Sequence, residues 1–135
     1  DWYPAHELLG HGPLLADEDF AYQVAEALLI PDAPQASIDG LRDGILVQTK
    51  QYYLTGLEAM EAADLTEFAS KVSAPTLVLH GTMDELVPLE RAQALADSLP
   101  GGSINILEDA GQIAYLDNLA GFGAALSDFL DVQNS

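Results

Sequence analysis

One carboxylate in this sequence stands where an acid–base catalyst could use it. Asp84 follows an apolar segment, Thr-Leu-Val-Leu-His at 76–80, and a turn that begins with Gly81. A carboxylate at the carboxyl end of a buried strand can accept the N–H of an imidazole, fix its tautomer and stabilise the imidazolium. The same residue could instead accept hydrogen bonds from backbone amides of its own turn. Asp84 is therefore a candidate acidic partner of a base, and Glu85 is a weaker alternative that we expect at the surface.

The three histidines offer neither an obvious base nor a metal site. His80 ends the apolar segment, and we expect it to pack there as a structural residue. His6 and His11 lie in His-Glu-Leu-Leu-Gly-His, which resembles the zinc motif H-E-x-x-H with one extra residue. On a helix of 3.6 residues per turn, five positions turn the two side chains about 140° apart. We therefore predict no metal site.

Three glycine patterns resemble binding or catalytic motifs but lack a required residue. Residues 10–15 and 121–126 begin like the dinucleotide-binding pattern G-x-G-x-x-G without its last glycine, and neither joins a strand to a helix. Residues 101–105, Gly-Gly-Ser-Ile-Asn, approach the nucleophile motif G-x-S-x-G, but they lack its last glycine and precede a strand instead of a helix. We expect turns or helix contacts at these places, with no cofactor and no nucleophile.

The composition narrows the classes of partner. Four Lys and Arg residues oppose 22 Asp and Glu residues, which gives a formal net charge of −18. Such a surface repels phosphate backbones and anionic lipid headgroups, so we expect neither a nucleic-acid nor a membrane partner. The absence of cysteine excludes disulfides and thiolate sites. With no secretory signal in the sequence, we expect a cytoplasmic location. The acidity is also typical of proteins adapted to high salt, where screening relieves self-repulsion.

The first half of the chain reads as helical. Phe20, Val24 and Leu28 recur at four-residue spacing in a helix that should end before Pro31. Ser37 is the expected N-cap of a second helix.

We expect this second helix to continue as far as Tyr52. Asp64 and Glu67 fit a capping box for a short helix at 65–70.

The pattern changes after Pro75. Residues 76–80 and 103–107 are short apolar runs typical of buried parallel strands, and a helical stripe at 89–99 lies between them. Asn118 is the expected cap of a last helix. A strand–helix–strand–helix order implies a right-handed parallel crossover.

Two segments together resemble the C-terminal part of the α/β-hydrolases. They are Ala-Pro-Thr-Leu-Val-Leu-His-Gly-Thr-Met-Asp at 74–84 and Ser-Ile-Asn-Ile-Leu-Glu-Asp-Ala-Gly-Gln at 103–112. In that family an aspartate after a strand orients a histidine, and the histidine follows Ala-Gly near the chain end. The resemblance implies that Asp84 holds the acid position and that Gln112 holds the position of the missing histidine base.

The resemblance also implies an α/β fold with a defined organisation. Residues 1–70 would form a helical cap or lid, and residues 71–135 the strand–helix–strand–helix end of the hydrolase core. The parent activity would be hydrolysis of an ester, amide or related bond of a small-molecule substrate by Ser-His-Asp chemistry. The cap sets the substrate in this family.

Gln112 bears directly on activity, because an amide neither accepts nor releases a proton at useful pH. Three explanations stand: a natural pseudo-enzyme, a deliberate replacement of the histidine, or a register in which another histidine serves. We expect the chain to be inactive as given. A non-catalytic binding or structural protein is one alternative, and a cofactor-free oxygenase, dehalogenase or lyase of the same fold is another.

The two predicted strands also need more cover than the sequence provides. Two parallel strands do not make a stable sheet, and strands that are apolar on both faces need a layer on each side. We therefore expect the chain to be part of a larger fold, or a second chain or homo-oligomer to complete the sheet.

Overall fold

The computed structural model describes residues 17–48 and 50–133, and the chain divides between Ala63 and Asp64 into two compact units. Residues 6, 11 and 10–15, which carry the zinc-like and first glycine patterns, lie outside the described residues. No helix in the described ranges is long and apolar enough to cross a bilayer. The assignment of residues 1–70 to a cap and of 71–135 to a hydrolase core stays a prediction.

The first unit contains three helices in its described part, α1 (Asp17–Ala27), α2 (Gln35–Leu46) and α3 (Lys50–Ala62). The four-residue spacing in α1 buries Phe20 and Val24 together with the alanines beside them, and this face packs on α2. The Phe20 ring meets Tyr53 edge to face, with centroids 5.7 Å apart. Burial raises the pKa of the Tyr53 phenol, because desolvation disfavours the phenolate.

The start of α2 differs from the prediction. The helix begins at Gln35, directly after Pro34, whose φ of −57° and ψ of 135° place it just outside the helix. Ser37 lies inside the first turn, where its N–H donates to the Pro34 carbonyl at 2.8 Å. Ser37 as N-cap is therefore wrong, because the helix starts after Pro34, three residues earlier.

The predicted continuation of this helix to Tyr52 is also wrong. The helix α2 ends at Leu46, and Gln48 N–H donates to the Ile45 carbonyl at 3.0 Å in a tight turn. Val47 is 83% exposed there. Tyr52 belongs to the separate helix α3.

The second unit is built on two parallel strands, β1 (Thr76–Gly81) and β2 (Gly102–Leu107), in register from Thr76 opposite Gly102 to Gly81 opposite Leu107. They are joined by α5 (Leu89–Ser98). The predicted strand–helix–strand order and parallel pairing are confirmed.

Three further helices belong to this unit: α4 (Thr66–Ala69), α6 (Ala114–Asp117) and α7 (Leu119–Gln133). The short α6 was missed from the sequence. Asn118 is the cap of α7, as predicted, because its Oδ1 accepts the Gly121 N–H at 2.9 Å.

The capping box predicted before α4 is wrong, because the residue before the helix is Leu65, which makes no side-chain cap hydrogen bond. Asp64 Oδ1 accepts the Thr66 N–H at 3.0 Å, and hydrogen bonding by Thr66 lowers the pKa of Asp64. Glu67 does not reach back, because its carboxylate pairs with Lys71 Nζ at 2.9 Å one turn later. The helix is two residues shorter than expected, running from Thr66 to Ala69.

Two glycines permit close approaches that shape the sheet. A Cβ at Gly102 would overlap the carbonyl of Ala96 in α5, so β2 can start under the end of that helix only with glycine. A Cβ at Gly81 would overlap the carbonyl of Ala110. Gly81 therefore brings the segment after β1 against the segment after β2.

The core of this unit is small, and the strands are incompletely covered within the described chain. Leu107, Ala110 and Ala125 are buried together, with Leu79 and Phe122 packed against them. The side chains at 76–79 are half-buried, and most of β2 is exposed. Several large apolar side chains of the unit are also exposed: Leu65, Phe68, Leu95, Ile106, Leu119 and Leu130.

Candidate functional site

The two strands end at one edge of the sheet, as parallel strands do, and the segments that follow them are hydrogen-bonded to each other. Thr82 N–H donates to the Leu107 carbonyl at 2.9 Å, and Met83 N–H donates to the Ala110 carbonyl at 2.9 Å. In return, Asp109 N–H donates to Thr82 Oγ1 at 3.2 Å. These bonds hold the loop that contains Asp84 against the loop that leads to residue 112.

Asp84 lies in this first loop with its side chain only 5% exposed. Its Oδ1 accepts the backbone N–H groups of Leu86 at 2.9 Å and Val87 at 3.0 Å. The local turn predicted as one role of Asp84 is thus present. These bonds orient the carboxylate and leave Oδ2 directed to other partners. Glu85 is exposed, as expected.

Gln112 is the partner that reaches the remaining oxygen. Its amide nitrogen donates to Asp84 Oδ2 at 2.6 Å and lies 3.1 Å from Oδ1. This orientation of the amide follows from chemistry, because the opposite one would set the amide oxygen against two carboxylate oxygens. The structure therefore brings together the two residues that the sequence singled out, 28 positions apart in the chain.

His80 lies beside this pair but does not join it. It ends β1 and is 6% exposed, which agrees with the packed strand-end role expected for it. Its Nδ1 is 3.8 Å from Asp84 Oδ2, beyond hydrogen-bond distance. His80 is the one histidine among the described residues, yet Gln112, and not His80, donates the hydrogen bond to Asp84 Oδ2.

The loop after β2 owes its path to a residue in the left-handed region. Asp109 has a φ of 52°, which aspartate tolerates better than most residues with a Cβ. The next two residues, Ala110 and Gly111, are buried, and Gln112 after them is exposed.

The role of Asp117 and the second contact of Asn118, which both anchor this loop, were missed from the sequence. Asp117 Oδ2 accepts the Gly111 N–H at 2.9 Å, and Asn118 Nδ2 donates to the Glu108 carbonyl at 3.0 Å. The available signal was their type, since Asp and Asn side chains bind nearby backbone groups more often than other residues do.

The other sequence patterns behave as structural elements. Gly101 and Gly102 form the turn into β2, and Ser103 Oγ donates to the Thr76 carbonyl at 3.3 Å. Residues 121–126 lie inside α7. Within residues 17–48 and 50–133, no cluster of three or more His, Cys, Asp or Glu side chains is arranged to hold a metal ion.

The arrangement is a buried carboxylate that accepts hydrogen bonds from two backbone N–H groups and from the Gln112 amide. Asp84 can accept, orient and stabilise a donor, and Gln112 can donate a hydrogen bond. Neither the amide nor the backbone donors can take a proton from a nucleophile.

Comparison with known proteins gives the chain its relatives. No protein-family model matches it. It is 30% identical over 131 residues, 97% of its own length, to the protein named "Putative carbamate hydrolase RutD" in Pseudomonas syringae pv. syringae, of which it covers 42%.

Solved structures of two further proteins also superpose on this chain. An esterase from Exiguobacterium antarcticum superposes with a TM-score of 0.75 at 18% identity, over 84% of this chain and 42% of the esterase. The enol-lactonase from Burkholderia xenovorans LB400 superposes with a TM-score of 0.73 at 26% identity, over 96% of this chain and 50% of the lactonase. The chain thus spans half or less of the length of each of these relatives.

Proposed function

This chain has the fold of the C-terminal part of an α/β-hydrolase, and we propose that it carries the acid and base positions of a hydrolase site whose base is replaced by an amide. Asp84 is the acid, and Gln112 stands where a histidine would act. The parent activity is hydrolysis of an ester, amide or related bond in a small molecule. The carbamate hydrolase, esterase and enol-lactonase names of its relatives support this class of reaction.

The observation that carries the proposal is the hydrogen bond from the Gln112 amide to Asp84 Oδ2 at 2.6 Å. In a Ser-His-Asp site this carboxylate oxygen would accept the imidazole N–H. Gln112 makes the same contact with a donor of similar reach. It therefore preserves the geometry of an acid–base pair without its proton chemistry.

The proposal has a direct consequence for catalysis. Without a base, a serine nucleophile would lose the assistance in proton transfer that contributes roughly 10²–10⁴-fold to such reactions. We propose that the chain as given is inactive in Ser-His-Asp hydrolysis. A protein of this kind can still bind the parent's substrate or an analogue of it.

The test replaces Gln112 with histidine and follows the new imidazole by NMR as a function of pH. If residue 112 faces Asp84, the carboxylate raises the pKa of the imidazole above the ordinary value for histidine. The double variant Gln112→His with Asp84→Asn should return it to that value. The same imidazole pKa in Gln112→His and in the double variant would refute the proposal.

A matched activity control uses Gln133→His, at the exposed end of α7. Turnover of p-nitrophenyl acetate by Gln112→His in this chain alone should equal that of Gln133→His. Higher turnover by Gln112→His would show that a nucleophile is present after all.

The exposed sheet favours a second candidate, a binding or structural protein that completes its sheet with another copy. In the described chain the sheet has two strands, and β2 is mostly exposed. Unpaired strand edges of this kind promote association. Light scattering with intact mass on the purified chain tests this candidate: a particle of at least twice the 14.4 kDa chain mass supports it. A monomer at high concentration refutes it.

A further inference from the structure

Asp117 makes one hydrogen bond where its carboxylate could make several. Its Oδ2 accepts the Gly111 N–H at 2.9 Å. Its Oδ1 is buried and accepts no hydrogen bond from the residues that the structure describes. A buried carboxylate oxygen without a partner opposes folding, since its hydration is lost and not replaced.

The bond to Gly111 forms one side of a clamp on the loop after β2. The next residue, Asn118, holds the start of the loop by donating to the Glu108 carbonyl at 3.0 Å. The Asn118 side chain is itself fixed by the Gly121 N–H, and a Cβ at Gly121 would crowd it at 2.9 Å. Asp117, the last residue of α6, and Asn118, which follows it directly, therefore hold the two ends of the loop.

The clamp acts next to the candidate site. Gly111 directly precedes Gln112, and the Ala110 carbonyl before it accepts the Met83 N–H at 2.9 Å. Two consecutive residues are thus tied, one to the Asp84 loop and one to Asp117. This leaves the backbone at 112 little freedom to turn away from Asp84.

We propose that Asp117 is a positioning residue, which aims residue 112 at Asp84 by holding the Gly111 N–H. The inference rests on the proposed function, because it concerns the same acid–base positions. Within the described residues, Asp117 makes no hydrogen bond to Asp84 or Gln112. Its effect passes through the backbone of Gly111.

The test uses NMR of the ¹⁵N-labelled full chain, with the Gln112 side-chain amide assigned by its loss in Gln112→Glu. In the wild type this amide should be protected and shifted by its bond to Asp84. Asp117→Ala should move it to the position of a solvent-exposed glutamine and speed hydrogen exchange at Gly111 about tenfold. Asp117→Asn should preserve the position of the Gln112 amide signal and the slow hydrogen exchange at Gly111, because its carbonyl still accepts from the Gly111 N–H.

Two controls separate the possible failures. Asp128→Ala, which removes an exposed carboxylate of α7, should change neither signal. Asp84→Ala should release the Gln112 amide whatever the role of Asp117. An unmoved Gln112 amide in Asp84→Ala would refute the pair itself and hence the proposed function. Release in Asp84→Ala but not in Asp117→Ala would refute the positioning role alone.

The inference stays testable if Asp117→Ala does not fold. In Asp117→Asn a neutral acceptor replaces a charged one, so the Gly111 amide proton should move upfield. An unchanged Gly111 shift in that variant would show that Asp117 does not hold this N–H, and would overturn the inference.

Discussion

The close approach at Gly81 predicts a large loss of stability for Gly81→Ala. An added Cβ would overlap the Ala110 carbonyl oxygen and lie 2.5 Å from its carbon and 2.6 Å from the Gly111 oxygen. Carbon atoms in contact are normally about 3.5–4.0 Å apart, so one of the two loops must move by about 1 Å. All three obstructing atoms belong to backbone, and no side-chain rotation can relieve them.

The cost follows from two contributions. Forcing a methyl group into a packed site costs about 1–3 kcal/mol. The movement also breaks the hydrogen bond from Met83 N–H to Ala110, worth about 1 kcal/mol. We expect Gly81→Ala to lower the free energy of unfolding by about 2–4 kcal/mol.

The assay is urea unfolding followed by circular dichroism, with Gly123→Ala as the matched control. A Cβ at Gly123 meets nothing within 4 Å, and the residue lies inside α7. Alanine there should raise the free energy of unfolding by about 0.5–1 kcal/mol. The reasoning is refuted if the free energy of unfolding of Gly81→Ala lies within about 0.5 kcal/mol of the wild-type value, as it does for most neutral surface substitutions.

Three further predictions concern the cap, the new base and the charge. Asn118→Ala should lower the free energy of unfolding by about 1–2 kcal/mol in urea melts, since the α7 cap and the Glu108 contact are both lost; Asn118→Asp keeps the cap oxygen, so a loss in Asn118→Ala no larger than in Asn118→Asp would contradict the capping role. In Gln112→His, Asp84 raises the imidazole pKa in the folded state only, so the added stability should be full near pH 6 and disappear as pH rises to 9. A free energy of unfolding that increases over this pH range in urea melts would contradict the pairing. The melting temperature should rise between low and molar NaCl, because salt screens a net charge of −18, and an unchanged melting temperature would refute adaptation to high salt.

The sequence predicted the second unit better than the first, for physical reasons. Short apolar runs bounded by Pro75 and the glycines at 101–102 leave few alternatives to a parallel β–α–β crossover. Parallel strands end at one edge, so Asp84 and Gln112 had to approach each other once both strands were placed. The family resemblance supplied their roles.

The break between α2 and α3 had no comparable signal. The apolar pattern continues through Leu46 and Val47 without proline or glycine. The structure ends α2 at Leu46, in a tight turn closed by the hydrogen bond from Gln48 N–H to the Ile45 carbonyl, and no local sequence signal marks that point.

The anchors of the site loop were hidden for a different reason. Asp117 and Asn118 act on backbone groups of 108–111, and such partners depend on how the loop folds back. Side-chain type shows that a residue can bind backbone, but not which carbonyl or N–H it will meet.

The uniform register of the two strands also sets the length of chain that must be closed when they pair. Every paired position, from Thr76 with Gly102 to Gly81 with Leu107, joins residues 26 apart in the chain. Each contact therefore requires closing a loop of that length, an entropy cost that must be met before the strands gain from pairing. During synthesis on the ribosome, Asp84 would emerge well before its partner and before the anchors at 117–118. The meeting of Asp84 and Gln112 requires closing the same loop, so we expect it to form together with the pairing of β1 and β2.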